Sequence, residues 1–386
     1  MTTLMQLIER YCPNGVEYVK LGELEDRGDV KLGRGKVISK KIMSEHPGDY
    51  PVYSSSAATN GLFGTYGDYM FADERITWSV DGGGKFFYRP AHKYSVTNVC
   101  GWMKTTSDSV TTKYLYYALY QLWTDELFDY TRKAHPSVIR EVYQIPLPPS
   151  EVQDAIVERL DAFAKLIESL DSEIALREKR FEHFREQLLT FVDSAGVEHV
   201  KLGDVAESVK SGATPKARTA EYYDNGTIPW LRTNEVKFNT ITSTEMMVTE
   251  KALAETPIKW IEAPSVVVAI SGATAGRSAI IATPVTTNQH CCCLHFDETI
   301  VDYRFVFNSL ALRYEELKSL GRGARGDLNA GIIKNFQIPL PSLEVQQDIV
   351  DKLDTMQALI DNLKQERDLR RTQFEYYREK LLTFNS

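Results

Sequence analysis

The sequence lacks the short motifs that mark most nucleotide-dependent and hydrolytic enzymes. It contains no Walker A sequence, no HExxH and no GxSxG. It also lacks the [DNS]PP[FYW] tetrapeptide that amino-methyltransferases place against their target base. These absences predict a chain without catalytic residues, which binds and spaces its ligands and performs no reaction of its own.

Long apolar runs are also missing. None approaches the roughly 18 residues that a membrane span needs, and the opening MTTLMQLIERYCPNG is unlike a secretory signal. We therefore expect a cytoplasmic protein with no membrane partner. The 386 residues are 43% hydrophobic and 25% charged, which is ordinary for a soluble globular protein, and the length predicts more than one domain.

Cysteine is scarce, and its odd number predicts reduced thiols. The one cluster is HCCCLH, in which a strand would place Cys291, Cys293 and His295 on one face. A zinc site is conceivable there, but CCCLHF is also typical of a buried strand, and no second Cys/His pair completes a ligand set. We predict no metal site.

A long internal repeat organises the chain. Residues 144–191 align without a gap to residues 337–384, with 26 of 48 positions identical, and GVEYVKLGEL near residue 15 returns as GVEHVKLGDV near residue 196. Internal repetition indicates a repeated structural unit. The predicted segments are a first variable domain (1–148), a central repeated helix (149–192), a second variable domain (193–341) and a C-terminal repeated helix (342–386).

Each repeat predicts one long helix. The prolines of IPLP exclude helix, and about forty residues without proline or glycine follow, roughly 60 Å of helix. Apolar residues at alternating steps of three and four predict a coiled-coil seam in which the two helices pair antiparallel. The fold class is thus α+β, with two α/β domains separated by two long antiparallel helices in pseudo-two-fold symmetry. The predicted pairing residues are Leu160, Phe163, Ile167, Leu170, Leu353, Met356, Ile360 and Leu363.

Apolar residues outside the seam suggest a further helical partner, because paired helices need no second apolar face. The predicted docking residues are Leu166, Leu176, Leu359 and Leu369.

Glycine-rich polar loops in both variable regions are the candidate ligand sites. The net charge of −8 resides in the helices and the connector between them, so the variable domains are neutral and each can still present a basic face. Ordinary solvated loops are the alternative, but Ser, Thr, Asn, Arg and Lys bind phosphates and read base edges. The candidate DNA-binding residues are Lys31, Arg34, Lys36, Lys40, Lys41, Ser54, Ser55, Asn60, Lys85, Lys210, Ser211, Thr214, Lys216, Arg218, Arg232, Ser271, Thr274, Arg277, Arg322 and Arg325.

With its two IPLPxxEVQxxIVxxLD helices, the sequence resembles the specificity (S) subunits of type I restriction-modification systems. YPVYSSS, ITWSVDGGG and SVTNVCG in the first half, and VKLGDVAESVKSGATP, IPWLRTNEV and TNQHCCCL in the second, carry the rest of the resemblance. Within VKLGDVAESVKSGATP, the loop sequence GATP at residues 212–215 departs mildly from the commoner double-glycine form of the family.

The resemblance implies a non-catalytic DNA-binding subunit of a methyltransferase complex. Each variable domain would be a target recognition domain for one half of a bipartite, gapped DNA site, and the helices would set the spacing. Two modification subunits would dock on the helices, and restriction subunits would join the complex. S-adenosylmethionine, ATP and Mg²⁺ are then expected on those partners and no cofactor on this chain. Alternatives are a stand-alone DNA-binding scaffold and a two-headed protein-binding adaptor.

Overall fold

The protein divides into two compact units. The structure is a computed structural model that describes residues 4–56, 59–123, 128–129, 131–191, 197–321 and 326–384. Unit 1 comprises Met1–Ser172 and Gln365–Ser386, and unit 2 comprises Glu173–Lys364. The four sequence segments remain a prediction, because each compact unit combines one variable region with parts of both repeats.

Unit 1 begins with short helices and strands and leads into the first long helix. Its strands are β1 (Tyr18–Lys20), β2 (Val30–Arg34), β3 (Tyr50–Tyr53), β4 (Leu62–Tyr66), β5 (Arg75–Ser79), β6 (Phe86–Arg89), β7 (Ser95–Val96), β8 (Cys100–Thr105) and β9 (Gln144–Pro146). Its helices are α1 (Leu4–Tyr11), α2 (Leu21–Arg27), α3 (Lys40–Glu45), α4 (Thr112–Trp123), α5 (Pro136–Val142) and the start of α6 (Ser150–Leu189), with a 3-10 turn at Thr59–Gly61.

Unit 2 repeats this order with a few additions. Its strands are β10 (Glu198–Lys201), β11 (Ala206–Lys210), β12 (Ile228–Leu231), β13 (Thr240–Ile241), β14 (Met247–Val248), β15 (Trp260–Ile261), β16 (Ser265–Ala269), β17 (Ser278–Ile281), β18 (Val285–Thr287), β19 (Cys291–Phe296) and β20 (Gln337–Leu340). Its helices are α7 (Leu202–Val205), α8 (Glu250–Glu255), α9 (Tyr303–Leu312), α10 (Tyr314–Ser319), α11 (Ala330–Asn335) and the start of α12 (Leu343–Leu382), with 3-10 turns at Ala220–Tyr222, Thr233–Glu235 and Gly272–Thr274.

The two units share one sheet topology. The antiparallel order β2-β8-β5-β6 in unit 1 matches β11-β19-β16-β17 in unit 2, where β13 adds an edge strand. The order β4-β3-β7 likewise matches β14-β12-β18, with β15 added, and both β3–β7 and β12–β18 are parallel. The small pairs β1–β9 and β10–β20 correspond as well. The predicted α+β class is therefore confirmed, with the same strand order in two units whose variable regions differ in sequence.

Each long helix has the predicted length of about 40 residues. In unit 1, the Phe163 and Tyr377 rings stack with centroids 5.3 Å apart, and Leu160 is buried in one cluster with Leu381. In unit 2, Leu353 is buried against Leu189. In unit 1, a step forward on α6 from Leu160 to Phe163 is a step back on α12 from Leu381 to Tyr377. In unit 2, Glu178 contacts Lys364, whereas the later Leu189 packs with the earlier Leu353. The helix segments therefore run antiparallel in each unit.

All eight predicted pairing residues are buried or half-buried. They are Leu160, Phe163, Ile167, Leu170, Leu353, Met356, Ile360 and Leu363. None of the helices among the described residues is long and apolar enough to cross a membrane.

A buried glutamine anchors the start of each long helix. Gln153 accepts a hydrogen bond from the Thr111 N–H at 3.0 Å and donates to the Ser109 and Pro148 carbonyls at 2.8 and 2.9 Å. Neither its side chain nor that of Gln346 is exposed to solvent. A side chain that is itself fully buried therefore supplies hydrogen bonds to three backbone groups.

Gln346 makes the same contacts in unit 2. It accepts from the Asp302 N–H at 2.9 Å and donates to the carbonyls of Ile300 and Pro341 at 3.2 and 2.9 Å. The glutamine of the repeated EVQ sequence thus joins a proline-containing segment to a loop of the preceding domain in both copies.

Replacing Gln153 or Gln346 by alanine is expected to lower the free energy of unfolding by about 2–4 kcal/mol, because each change removes three hydrogen bonds that a fully buried side chain makes to the backbone. Urea titration followed by circular dichroism measures the loss. Gln357→Ala is the control, because the Gln357 amide bonds to Asp361 at the surface, 2.9 Å away. Equal stability of the Gln153→Ala and Gln357→Ala variants would contradict the anchoring role.

Candidate nucleic-acid interface

In unit 1, loops from different parts of the sequence meet at one edge, which we name the four-loop edge. The loops are residues 35–37 after β2, the described residues 54–56 and 59–61 after β3, 80–85 between β5 and β6, and 97–99 before β8. The Thr97 N–H donates to the Tyr53 carbonyl at 2.9 Å, and the Thr97 hydroxyl donates to the Ser54 hydroxyl at 2.9 Å. Loops distant in sequence thus form one polar surface.

Arg34 and Lys36 lie exposed on this edge. The Arg34 Nε donates to the Asn98 carbonyl at 2.8 Å, and the Lys36 N–H donates to the Val96 carbonyl at 3.1 Å. Neither side chain forms an ion pair with any residue that the structure describes. Their positive charges are therefore available to an external anion.

The polar residues of the second and third loops adjoin them. Ser54 and Ser55 are half-buried, and Asn60 is exposed. A Cβ placed on Gly82 would lie 3.9 Å from the Ser55 carbonyl oxygen, which brings the β5–β6 turn against the serines. Lys85 ends that turn, with its Nζ 5.4 Å from the centroid of the Phe87 ring.

Arg89, which is not among the residues predicted from the sequence, packs beneath the four-loop edge. Its side chain is 2% exposed, and its guanidinium lies 3.7 Å from the centroid of the Tyr53 ring. It donates to the Thr77 hydroxyl at 3.0 Å and to the Asn60 carbonyl at 2.8 Å, where Asn60 has a left-handed φ of 54°. Burial lowers the pKa of Arg89. The only sequence signal is an arginine two places after Phe87, on the inward face of a strand.

Three other predicted cations of unit 1 lie within a strand or a helix and not in the loops of the four-loop edge. Lys31 lies within β2, opposite Lys104 of β8. Lys40 and Lys41 begin α3, where the Lys41 ammonium lies 3.8 Å from a Glu45 carboxylate oxygen. The basic stretch is therefore contiguous in sequence, but only its Arg34 and Lys36 join the four-loop edge through contacts described above.

Unit 2 builds the corresponding edge from corresponding loops. The Asn288 N–H donates to the Leu231 carbonyl at 3.0 Å, as Thr97 does to Tyr53 in unit 1. The Ala213 N–H donates to the Thr287 carbonyl at 3.0 Å. The loops after β11 and β12 and before β19 therefore meet as their counterparts do, and Ser211, half-buried, begins the first of them.

Hydrogen bonds join several predicted residues of unit 2 to this edge. The Thr214 hydroxyl donates to the Gln289 side chain, and the Thr274 hydroxyl donates to the Thr233 carbonyl at 2.8 Å. Ser271 and Arg277 border the same β16–β17 turn as Thr274 and are half-buried. The Arg277 Nε is buried without a hydrogen-bond partner among the described residues.

The remaining predicted cations of unit 2 differ in their ion pairing and exposure. Lys210 and Arg232 form ion pairs with Glu262 and Glu245, at 3.2 and 3.0 Å. Lys216 and Arg218 are exposed, and Arg218 has a left-handed φ of 65°. The predicted residues Arg322 and Arg325 lie outside the described part of the chain.

One glycine in each unit lets the first loop pack on its neighbour. A Cβ on Gly35 would lie 2.0 Å from the Val96 carbonyl oxygen, and a Cβ on Gly212 would lie 1.8 Å from that of Thr287. Both distances are far below van der Waals contact. Glycine is therefore required by close approach of backbone to backbone, and the direct interaction with ligand that the sequence suggested is not needed to explain it.

The cysteines of HCCCLH lie within the sheet of unit 2. Cys291, Cys292 and Cys293 are buried in β19. Burial raises the pKa of Cys291 and of Cys292 to about 12, so both thiols are protonated at neutral pH. His295 instead lies 2.9 Å from the Pro264 carbonyl. In the described ranges, no three His, Cys, Asp or Glu residues are grouped to hold a metal ion.

The predicted docking leucines are exposed and occupy equivalent positions. Leu166 and Leu359 correspond in the two repeats and are 40% and 41% exposed, and Leu176 and Leu369 correspond and are 44% and 56% exposed. Both helices thus present the same two apolar residues to solvent.

The architecture defines a class of protein: two sheet-based units with matching loop edges, each joined to a long repeated helix. The family profile described as "Type I restriction modification DNA specificity domain" matches residues 13–176 and 195–369. The chain therefore belongs to the type I restriction-modification DNA specificity family. Members supply DNA sequence specificity and are not themselves catalytic.

Individual relatives agree with this assignment. The specificity subunit of the Escherichia coli type I restriction enzyme EcoR124I/EcoR124II is 29% identical over 73% of this chain and 74% of its own. A putative type I specificity subunit of Mycoplasma pneumoniae is 28% identical over 94% of this chain and 97% of its own. The crystal structure of a type I S subunit from M. genitalium, 16% identical, has a TM-score of 0.65 and covers 97% of this chain and 98% of its own. The structural likeness shows a shared fold.

Gly35→Ala or Gly212→Ala is expected to lower the free energy of unfolding by about 2 kcal/mol, because overpacking a tight contact typically costs 1–3 kcal/mol. Thermal unfolding measures the change. Gly82→Ala is the control on the same edge, because its Cβ would meet the Ser79 hydroxyl at 3.3 Å and the Ser55 carbonyl only at 3.9 Å. A Gly212→Ala variant as stable as Gly82→Ala would exclude the packing explanation.

Proposed function

We propose that each unit applies its four-loop edge to double-stranded DNA and reads one half of a bipartite, gapped site. The observation that supports this most directly is the recurrence of the same edge, on the same strand order, with different side chains in the two units. Recognition of two different half-sites requires such a combination, because the shared strand order positions the loops and the loop side chains contact the bases that are recognised.

Phosphate contacts supply the affinity in this proposal. Arg34 and Lys36 in unit 1, and Lys216 and Arg218 in unit 2, are exposed cations near or on the edge. Lysine and arginine neutralise phosphates and release counterions, whereas serine, threonine and asparagine side chains can bond base edges or phosphates. Arg89 contributes indirectly, because its guanidinium fixes the carbonyl of Asn60.

The helices carry the proposed assembly role. A neighbouring solved chain comes from work titled as the basis of complex assembly and conformational transition of the type I R-M system, with a TM-score of 0.58 at 15% identity. We propose two modification subunits as the partners, one for each equivalent leucine pair, and restriction subunits that join the same cytoplasmic complex. S-adenosylmethionine, ATP and Mg²⁺ would then reside on those partners.

The double variant Arg34→Ala/Lys36→Ala is expected to bind duplex DNA more weakly and with a smaller salt dependence. Each lost phosphate contact removes about 0.9 from the slope of log affinity against log salt concentration, so the pair should reduce it by about two. Fluorescence anisotropy across a salt series measures both quantities.

The matched control for this experiment is Lys20→Ala. Lys20 is comparably exposed but lies in β1 and faces Glu141, whose carboxylate is 4.0 Å away. Its removal should leave the slope unchanged. Unchanged affinity and slope in the Arg34/Lys36 variant would remove these two residues from the DNA interface.

Leu176→Glu combined with Leu369→Glu is expected to abolish co-purification with the modification subunit, because burying an unpaired carboxylate in an apolar contact is strongly unfavourable. Melting of the free chain should stay unchanged, since both leucines are exposed. Ile300→Glu is the control, with a side chain 56% exposed outside the helices. Retention of the complex by the Leu176/Leu369 variant would refute docking at these positions.

A comparison of host methylation with and without the gene separates the three candidate functions. Loss of one methylated bipartite motif supports the specificity subunit. Unchanged methylation together with tight binding of a specific site by the free chain indicates a stand-alone DNA-binding scaffold. Unchanged methylation without specific DNA binding indicates a protein-binding adaptor.

A further inference from the structure

Two positions of the repeated helix carry opposite charges in its two copies. Asp171 and Glu178 of α6 align with Lys364 and Arg371 of α12. Among the 40 aligned helix positions, these are the only two at which an acidic residue in one copy is replaced by a basic residue in the other. They are seven residues apart, so they recur at one heptad position along the same helix edge.

In unit 1, the first of these acidic residues faces basic residues of α12. An Asp171 carboxylate oxygen lies 2.9 Å from the Arg371 guanidinium, and the other lies 3.4 Å from that of Arg367. The Asp171 and Arg371 side chains are each a little less than half exposed. A helix-to-helix ion pair therefore borders the apolar seam in this unit.

In unit 2, the second acidic residue makes the reciprocal pair. The Lys364 ammonium lies 2.7 Å from a Glu178 carboxylate oxygen. Glu178 aligns with Arg371 in the repeat, and Lys364 aligns with Asp171. This contact therefore joins the same two repeat positions as the Asp171–Arg371 pair, with the roles of α6 and α12 exchanged. Both contacts thus place the acid on α6 and the base on α12.

Most of the apolar seam cannot make the same distinction between the copies. Leu160, Ile167 and Leu170 of α6 align with identical residues of α12, at positions 353, 360 and 363, and these fit either helix equally well. The remaining predicted pairing residue, Phe163, aligns with Met356, which changes shape but not charge. The reversed charges are therefore the electrostatic difference between the two copies that can distinguish the right partner helix from the wrong one.

We propose that Asp171, Glu178, Lys364 and Arg371 select pairing of α6 with α12 of the same chain over pairing of like helices from two copies. In the observed antiparallel register, two α6 helices would place Asp171 against Glu178 twice. Two α12 helices would place Lys364 against Arg371 twice. Each wrong pairing replaces two attractions by two like-charge repulsions.

The weak contribution of such pairs to stability is consistent with this role. Half-exposed ion pairs add little to folding, because solvent screens them and the side chains lose entropy. Selection depends on the difference between attraction in the right pairing and repulsion in the wrong one. That difference exceeds the value of either pair alone.

The first experiment compares four full-length chains by thermal unfolding. The basic variant carries Asp171→Lys and Glu178→Arg, the acidic variant carries Lys364→Asp and Arg371→Glu, and the swapped variant carries all four changes. The basic and acidic variants should melt several degrees below the wild type. The swapped variant should recover roughly half or more of the summed loss, because its opposite charges again face each other.

The second experiment tests the choice of partner. Co-expression of the basic variant with a differently tagged acidic variant should yield a mixed complex of two chains, because each α6 then matches the α12 of the other chain. High salt during assembly should reduce the yield, since screening shortens the range of the interaction. Size-exclusion chromatography with light scattering and double-tag capture measure the yield.

The control reverses a pair that lies within one helix. Lys352 and Asp348 of α12 are 2.5 Å apart and exposed, so Asp348→Lys with Lys352→Asp should produce no mixed complex. Two outcomes would overturn the proposal. One is a swapped variant whose loss equals the sum of the basic and acidic losses. The other is no more mixed complex from the two mismatched variants than from two wild-type chains.

Discussion

The junction between each sheet-based domain and its long helix imposes the constraint on which the rest depends. A proline-containing segment, a loop and a helix start meet there around a buried side chain, from which their free backbone groups take hydrogen bonds. Gln153 and Gln346 supply these bonds because an amide side chain both donates and accepts. An aspartate could only accept and a leucine could do neither. The glutamines thereby fix where each helix begins relative to its domain.

With that junction fixed, the two domains can share one strand order and still differ in the side chains buried beneath their loops. In unit 1, Arg89 and Thr77 form a buried polar network beneath the four-loop edge. The corresponding positions in unit 2 are Ile281 and Val267, both fully or almost fully buried. One strand order therefore tolerates a hydrogen-bonded interior in one unit and an apolar interior in the other. What the units share is the path of the backbone, and what they vary is the support of the loops.

The sequence predicts the parts of this structure that depend on local periodicity. The steps of three and four that include Leu160 predict both long helices, because residues at those steps share a helix face. The burial of Gln153 was not predicted, since a polar residue near a helix start usually faces solvent. The edge that unites Arg34 with Asn98 was not predicted either, because it depends on strand pairing across more than sixty residues. Composition alone grouped Arg34 with Lys40 and Lys41, which the fold holds on another element.

The repeated helix meets two opposite demands on different faces. The proposed docking of the same partner on both helices requires equivalence, and Leu166 and Leu176 are repeated without change as Leu359 and Leu369. Pairing within one chain requires a difference, which lies where Asp171 is replaced by Lys364. The proposed reading of an asymmetric DNA site needs two different domains in one complex, and pairing of like helices from two chains would bring identical domains together. Reversed charges beside a largely repeated seam separate these demands, because they alter the choice of partner helix while the proposed docking leucines stay the same.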